Sequence, residues 1–500
     1  VKEIESKYRA SRDLVLPDLE GRLEGVSSID TPDALHLVAV YYDTADLRLA
    51  REGITLRRRS GGDDDGWHLK VPADPSDPGV RDEIHVAAGD EIPERLRQAV
   101  TAYVRFADLQ PAATLVTERT RRTLRDANAS PLAELVDDVV TVEGLGRVSA
   151  GFREIEIEDK GGGPQLLSEV GALLSDAGAV GGEFMPKLVR ALGARATAPP
   201  DPPLAEPVGA DDAVSAVVTG YLRTNVRKLL AEDVRFRLGG ADAVHQLRVA
   251  CRRLRSALRV FRPYLDEEWA ESLREELRWL ARGMGDARDA EVLLARLTAS
   301  IDKLPDPLVI GPIRARVEQH LGGQLAVAVA EIDKTMNGDR YVSLLERLVD
   351  AAWKPRTTSA ADQSAAQALG EDVRRAWRKL ASGVARVRET AEEGDYHQVR
   401  IRAKRVRYTA EAVSPAFGKP AVRFARQAER VQEVLGEHQD ACTAQEVLRR
   451  IAQSSGGRSS GFTLGILHAV EEQRASAARA EFEGLWPEVA RRRYRDWLTG

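Results

Sequence analysis

Charged residues fill every second position at the start of the chain: Glu3, Glu5, Lys7 and Arg9, with Ile4 and Tyr8 between them. In an extended strand this alternation puts the charges on one face and the apolar groups on the other. The pattern returns in Thr55, Arg57 and Arg59 against Ile54 and Leu56, and in His68 and Lys70 against Trp67, Leu69 and Val71. It returns again in Arg81 and Glu83, and in Glu154, Glu156 and Glu158 against Ile155 and Ile157. The basic positions suit a polyanion, whereas the carboxylates beside them repel phosphate unless a cation intervenes. Mg2+ or Mn2+ meets that need, because hard cations take oxygen ligands and bridge phosphate oxygens. Two Glu-x-Glu strands among Arg and Lys therefore fit a metal-assisted phosphoryl site. Each segment taken singly also fits a solvated sheet face. So many charged faces together point to a shared polar interior, which a closed barrel would provide.

A second constellation is helical. His245, Arg248, Arg252, Arg255, Arg259 and Arg262 follow one another at steps of three and four, which makes one stripe on a helix. Leu247, Ala250, Leu254, Ala257, Leu258 and Phe261 form the opposite, apolar side that anchors such a helix in a bundle. Like charges at these spacings cost about 0.2 to 0.5 kcal/mol per pair, a cost that a bound polyanion reverses. The stripe recurs as His397, Arg400, Lys404 and Arg407, with Val399, Ala403, Val406 and Ala410 behind it. Arg253 and Arg405 stand off the stripe in their respective helices. Flanking features shift together: Arg223, Arg227 and Lys228 match Arg374, Arg378 and Lys379, and Gly285 with Asp289 matches Gly436 with Asp440. The shift is about 150 residues, which implies an internal duplication and two helical bundles related by a pseudo-two-fold axis. Neither histidine has a Cys, His or carboxylate at ligand spacing on its own helix, so donation to phosphate is expected of them rather than metal binding.

The elements that position these residues divide the chain. Its 500 residues suffice for two or three domains. Residues 194–210, rich in Pro and Ala, read as an extended linker. Short period-2 segments precede it and long period-3.6 segments follow. The expected fold is thus multidomain α+β, with a strand-rich domain over 1–193 and an all-α domain over 211–500. A polar stretch, 355–370, splits the latter into halves of about 211–354 and 371–500. The chain has 43% hydrophobic and 30% charged residues and no apolar run long enough to span a bilayer, so no membrane partner is expected. No basic-then-apolar leader is visible and Cys251 and Cys442 lack metal or redox spacing, which sets a cytoplasmic expectation. The net charge of -5 averages 73 basic against 78 acidic residues, so local stripes, not the total, select ligands.

The segment Glu3-Ile4-Glu5-Ser6-Lys7 resembles the ExExK signature of CYTH domains, the triphosphate tunnel metalloenzymes. Tyr41-Tyr42-Asp43-Thr44, Leu56-Arg57-Arg58-Arg59, Trp67-His68-Leu69-Lys70, Arg81-Asp82-Glu83 and Arg153-Glu154-Ile155-Glu156-Ile157-Glu158 follow in the order that family shows, and Lys187 completes the set. The resemblance covers residues 1–193. It implies an eight-stranded antiparallel β-barrel tunnel with helices outside, in which Glu3, Glu5, Glu156 and Glu158 hold Mg2+ or Mn2+. Asp138 joins the metal shell, and Glu3, Glu5 and Lys7 are the catalytic set. Lys7, Arg57, Arg59, Lys70, Arg81, Arg119, Arg121 and Lys187 would hold a triphosphate. Two features depart from the pattern: the acidic loop GGDDDGW, and Pro186 in place of a small hydroxyl residue before Lys187.

The duplicated helical region resembles the CHAD domain, an α-helical family associated with inorganic polyphosphate. Carried over, the polyphosphate set is Arg223, Arg227, His245, Arg248, Arg252, Arg253, Arg255 and Arg259, and in the second half Arg374, Arg378, His397, Arg400, Lys404, Arg405 and Arg407. Such binding would associate a cytoplasmic protein with polyphosphate granules. The leading expectation is metal-dependent hydrolysis of a small triphosphate, above all inorganic tripolyphosphate, joined to polyphosphate binding. Thiamine triphosphate hydrolysis or adenylate cyclisation would use the same tunnel, and a non-catalytic polyphosphate scaffold would keep only the binding. Nucleic acid is disfavoured as partner, because the basic helical faces carry almost no aromatic rings for base stacking.

Overall fold

A computed structural model describes residues 5–62, 64–74, 77–87, 89–144, 147–182, 185–240, 242–390, 393–454 and 460–499. The chain forms two compact units, Val1–Asp201 and Pro202–Gly500. The boundary falls inside the Pro-rich segment, whose residues are fastened to their own units. In the first, Asp201 pairs with Arg105, and Arg51 donates to the Pro199 carbonyl at 2.6 Å. In the second, Arg227 donates to the Pro202 carbonyl at 2.8 Å.

The first unit is built on antiparallel strands: β1 (Glu5–Ala10), β2 (Ser28–Ile29), β3 (Asp33–Asp43), β4 (Thr55–Ser60), β5 (Gly66–Asp74), β6 (Asp77–Val86), β7 (Gln110–Arg125), β8 (Pro131–Gly144), β9 (Arg147–Asp159) and β10 (Val180–Gly181). Helices α1 (Arg48–Arg51), α2 (Glu94–Ala99), α3 (Thr101–Val104), α4 (Gly163–Asp176) and α5 (Lys187–Leu192) accompany them. The strand order is β10-β1-β9-β8-β7-β3-β4-β5-β6, with β2 beside β7. This differs from the expected closed, eight-stranded barrel: among the described residues no ladder joins β6 to β1. The free edge of β1 carries β10 instead, which pairs Gly181 with Tyr8 and Val180 with Arg9. Strand twist nevertheless curls the sheet around a hollow to which β1 and β3 through β9 all contribute residues.

The alternation read from the sequence sets the two faces. Ile155 and Ile157 point away from the hollow and are fully buried with Leu124 and Leu135 against Leu166, Val170 and Leu174 of α4. Burying each such side chain contributes about 1.5–3 kcal/mol, which holds the outer layer while the charged positions face inward. Pro186 has a structural reason: it is the N-cap of α5 at φ -55, an angle its ring enforces, and so makes Lys187 the first helical residue.

The second unit is helical throughout: α6 (Val214–Arg237), α7 (Ala243–Val260), α8 (Glu267–Asp302), α9 (Ile313–Val317), α10 (Gly323–Met336) and α11 (Asp339–Trp353), then α12 (Ala365–Thr390), α13 (Glu393–Phe417), α14 (Lys419–Ser454) and α15 (Gly461–Val489). One π turn, Glu318–Gly322, joins α9 to α10. Helices of 24, 18 and 36 residues open the unit, and helices of 26, 25 and 36 residues follow in the same order from Ala365. The expected second-half start at 371 thus lies within α12, whose buried Ala365 and Leu369 draw the helix back into the polar stretch. The apolar faces of both basic helices are buried, Leu247, Ala250 and Leu254 in α7 and Val399, Ala403 and Val406 in α13. Arg296 of α8 reaches α15 and α14, donating to the fully buried Glu471 at 2.8 Å and to Glu437 at 2.9 Å.

Candidate functional site

The inward residues of the sheet enclose a cavity of about 360 Å3. Lys7 of β1, Arg57 and Arg59 of β4, Lys70 of β5, Arg81 of β6, Arg119 and Arg121 of β7, and Lys187 of α5 all line it. The structure thus brings the eight expected triphosphate residues to one hollow, together with Glu5, Glu156 and Glu158. Glu3 lies outside the described residues. The arginine-dense run of β7 leaves its register open in the sequence. The structure resolves it by placing Arg119 opposite Asp138 and Arg121 opposite Val136.

A network of carboxylates holds several of these cations in place. Asp138, wholly buried, accepts two hydrogen bonds from Arg119 at 2.8 Å each and one from Lys187 Nζ at 2.6 Å. Lys187 also donates to Glu156 at 3.0 Å and stands 3.5 Å from Glu154, while Lys7 bonds Glu156 from the neighbouring strand. Burial alone would raise the carboxyl pKa of Asp138, but Lys187 and Arg119 outweigh it and hold the group below its ordinary value. The same balance, with Lys7 added, keeps Glu156 well below the usual range. Burial lowers the Lys187 ammonium, and Glu156, Asp138 and Glu154 more than reverse that, so it stays charged. Glu154 differs: burial dominates and its carboxyl is raised.

Asp138 and Glu156, both expected in the metal shell, each hold cations here: Asp138 binds Arg119 and Lys187, and Glu156 binds Lys7 and Lys187. Three further carboxylates form a row set by strand register, each beside a cation of its own: Glu5 3.3 Å from Lys7, Glu158 2.6 Å from Lys160 and Glu134 3.9 Å from Arg121. Glu5 pairs with Glu158 across β1 and β9, and Glu158 pairs with Glu134 across β9 and β8. Like charges directly opposite one another are destabilising in a sheet. Their all-oxygen donor chemistry fits a hard divalent cation. Among the described residues no group of three His, Cys, Asp or Glu is already gathered closely enough to hold a metal. The fit therefore rests on the row's register and chemistry.

The opposite wall is more basic. Arg57 donates to the Tyr41 hydroxyl at 3.1 Å, and its Nε is buried without a hydrogen-bond partner, as is that of Arg59. Burial tends to raise the Tyr41 phenol, yet Arg57, Lys187 and Arg59 bring it below its ordinary value. Burial pushes Arg59 down to about 10, helped by Arg57 and Arg119. Burial takes Arg81 to about 10 as well, against the pull of Glu5 and Tyr41. Lys70 pairs with Glu83 at 2.9 Å, and His68 Nδ1 lies 3.0 Å from the same carboxylate. Sequence reasoning puts Glu83 on a charged inward face but gives it, Tyr41 and Asp64 no role in the site. For Glu83 the period-2 signal is present; for Asp64, in a turn, there is none.

In the second unit the two basic helices meet. Arg253 of α7 stands 3.5 Å from Glu411 of α13, and the Arg252 guanidinium lies 5.6 Å from the centre of the Tyr408 ring. Burial, then Arg400, Arg252 and Arg248, push the Lys404 ammonium down to about 8, against the opposing pull of Asp440. Four cations thus share one locality, and the Nε atoms of Arg252 and Arg400 are buried without hydrogen-bond partners. Arg255 is depressed by burial and by Arg278, Arg274 and Arg282, and Arg259 by burial, Arg405 and Arg274. His245 is lowered by burial and Arg288, while His397 Nδ1 lies 2.8 Å from Gln439. Arg407 is engaged by Glu411 and Glu429, each at 2.7 Å. Four further expected binders have partners within the protein. Arg223 donates to the Ala352 carbonyl at 3.2 Å, Arg227 to Pro202, Arg374 to Leu498, and Arg378 pairs with Glu371.

Comparison with known proteins agrees with this division. The CYTH domain family model matches residues 1–186, and the CHAD domain family model matches residues 220–449. An uncharacterized protein from Mycobacterium tuberculosis (strain CDC 1551 / Oshkosh) is 34% identical over 507 residues, covering 96% of this chain and 95% of the relative. The solved structure of PptA from Streptomyces chartreusis is similar at 23% identity, covering 55% of this chain and 100% of that one, with a TM-score of 0.48. That of the CHAD domain from the plant Ricinus communis is similar at 26% identity, covering 58% of this chain and 96% of that one, with a TM-score of 0.45. No helix of the described residues is long and apolar enough to cross a membrane. With an inward-facing basic hollow in one unit and paired basic helices in the other, the chain belongs to the family in which a CYTH domain, the triphosphate tunnel module, is followed by a CHAD domain.

Proposed function

We propose that the first unit hydrolyses inorganic tripolyphosphate with Mg2+ or Mn2+, and that the second binds inorganic polyphosphate. The observation that carries this reading is the single cavity of about 360 Å3 in which eight cationic side chains face the in-register carboxylates Glu5, Glu134 and Glu158. Arg57, Arg59, Lys70 and Arg81 would neutralise successive phosphoryl groups through charge-assisted hydrogen bonds. Arg119 and Lys187, held by Asp138, need no reorganisation as charge shifts on the phosphoryl oxygens. Glu5, Glu134 and Glu158, with Glu3, would hold the divalent cation, which supplies Lewis acidity toward phosphoryl oxygens and attacking water. An inorganic chain is favoured over ATP or thiamine triphosphate because Tyr41 is the one aromatic ring lining the cavity among the described residues, and its hydroxyl is taken by Arg57. In the second unit the locality of Arg248, Arg252, Arg400 and Lys404 supports a groove for a longer chain, related by a pseudo-two-fold axis between the duplicated halves.

The test is phosphate release from tripolyphosphate, long-chain polyphosphate, ATP and thiamine triphosphate with Mg2+ or Mn2+, beside a Glu3→Ala/Glu5→Ala variant. Tripolyphosphate should turn over fastest, and the variant should lose at least about 100-fold in kcat, as loss of a principal electrostatic stabiliser does. Full activity in the double variant would sink the carboxylate assignment. Turnover of ATP alone would move the reading to nucleotides.

A further inference from the structure

We propose that Asp64 is an internal competitor for the hollow: its carboxylate stands in for a phosphoryl oxygen on Arg59, so that every anion must displace it to gain the site. The proposal rests on the reading of the hollow as a site for phosphate chains.

The turn between β4 and β5 is built to hold this side chain. Gly61 has φ 91 and Gly66 φ 143; a Cβ on the first would collide with the His36 carbonyl oxygen and on the second with that of Val86. Both ends of the turn therefore require glycine. Between them, His68 Nε2 donates to the Asp64 carbonyl at 2.8 Å and His85 Nε2 to the Asp65 carbonyl at 3.1 Å, the two rings 4.7 Å apart. With its backbone fixed at two consecutive carbonyls, the turn puts Asp64 in the wall of the cavity, where it pairs with Arg59. Asp65 is exposed.

The energetics make this an exchangeable pair. Arg59 is only 9% exposed, and burial beside Arg57 and Arg119 disfavours its charge, so it needs an anion. The Asp64 side chain is 47% exposed, so once displaced it returns to water at little cost. An anion that reaches Arg59 alone exchanges one charge-assisted bond for another and gains nothing. A chain that also engages Arg57, Arg119 and Lys70 gains contacts Asp64 cannot offer. The intramolecular carboxylate thus costs every anion the same displacement, and a chain with further contacts still binds at low concentration where a lone phosphate does not.

The experiment titrates tripolyphosphate and inorganic phosphate separately into the full-length protein by calorimetry. Wild type is compared with Asp64→Asn, which keeps the side-chain shape, with Asp64→Ser as a second neutral variant, and with Asp65→Asn, which removes an equal charge one position away. Both Asp64 variants should bind each anion about fivefold more tightly, the worth of a partly exposed ion pair. Asp65→Asn should match wild type. Unchanged affinity in the Asp64 variants overturns the proposal, as does equal tightening in Asp65→Asn, which would make the effect one of general rim charge. Hydrolysis by wild type is followed in parallel. Binding without turnover would remove the hydrolase reading yet leave the Asp64 comparison decisive.

Discussion

At the scale of single residues, Lys187 is the side chain on which most of the buried charge of the first unit depends. It lies within 2.6, 3.0 and 3.5 Å of Asp138, Glu156 and Glu154. Asp138 and Glu156 have folded pKa values below their ordinary 3.8 and 4.5, so their stabilisation is present above pH 4.5 and is lost as pH falls through the folded values. Lys187 is raised above its ordinary 10.5, so its contribution is complete below that pH. All three act together between about pH 5 and 10. Replacing Lys187 with methionine should therefore cost about 1.5–3 kcal/mol at pH 7, since it strips one cation from each of Asp138 and Glu156 while Arg119 and Lys7 remain. Urea unfolding would measure it; a loss below about 1 kcal/mol would mean that solvent, not Lys187, screens these groups. Sequence reasoning finds Lys187 through its motif, but not the role of Asp138. Strand alternation tells which face a side chain takes and is silent about its partner across the sheet. Glu5 and Glu158 were legible as candidate metal ligands, but which residues stand opposite one another along their row with Glu134 is set only by the register of β1, β9 and β8.

At the scale of elements, the inward faces of β1, β4 and β9 and the apolar faces of α7 and α13 were legible, since period alone defines them. Closure of the sheet was not: it turns on Val180 and Gly181, a two-residue strand with no alternation to read. Nor could spacing show that Arg223 and Arg374 reach distant carbonyls. What packing adds to the helices is the crowding of α7 against α13, where burial and Arg400, Arg252 and Arg248 bring Lys404 to about 8. A bound polyphosphate favours the charged ammonium, so binding should raise this pKa and draw in a proton. At pH 8 the uptake should be about half a proton per Lys404, falling toward zero at pH 6 where the amine is already charged. Calorimetry in Tris and in HEPES, whose ionisation enthalpies differ, reads this number directly. Lys404→Arg should abolish the uptake while retaining binding; persistence of the uptake would assign it to another group.

At the scale of the whole molecule, the two units each have a basic site, on the proposed function one for a short and one for a long phosphate chain, and a single substitution set can separate them. Charge reversal at Arg252 and Lys404 removes two cations and adds two anions in the locality of Arg248 and Arg400. The first unit, compact in itself and built from Val1–Asp201, loses nothing from its hollow. Arg252→Glu/Lys404→Glu should therefore weaken long-chain polyphosphate binding by at least about 100-fold, two charge-assisted contacts of about 1.5 kcal/mol each, and leave tripolyphosphate turnover unchanged. Turnover of long chains is the informative third measurement. If one chain engages both units, the second raises the effective concentration of its end at the first, and the variant should lose long-chain activity at low substrate but recover it at saturation. If the units act on separate molecules, long-chain turnover should be as insensitive to the variant as tripolyphosphate turnover. Equal loss with both substrates would show instead that the basic helices support the hollow itself, and that the two units do not divide the work.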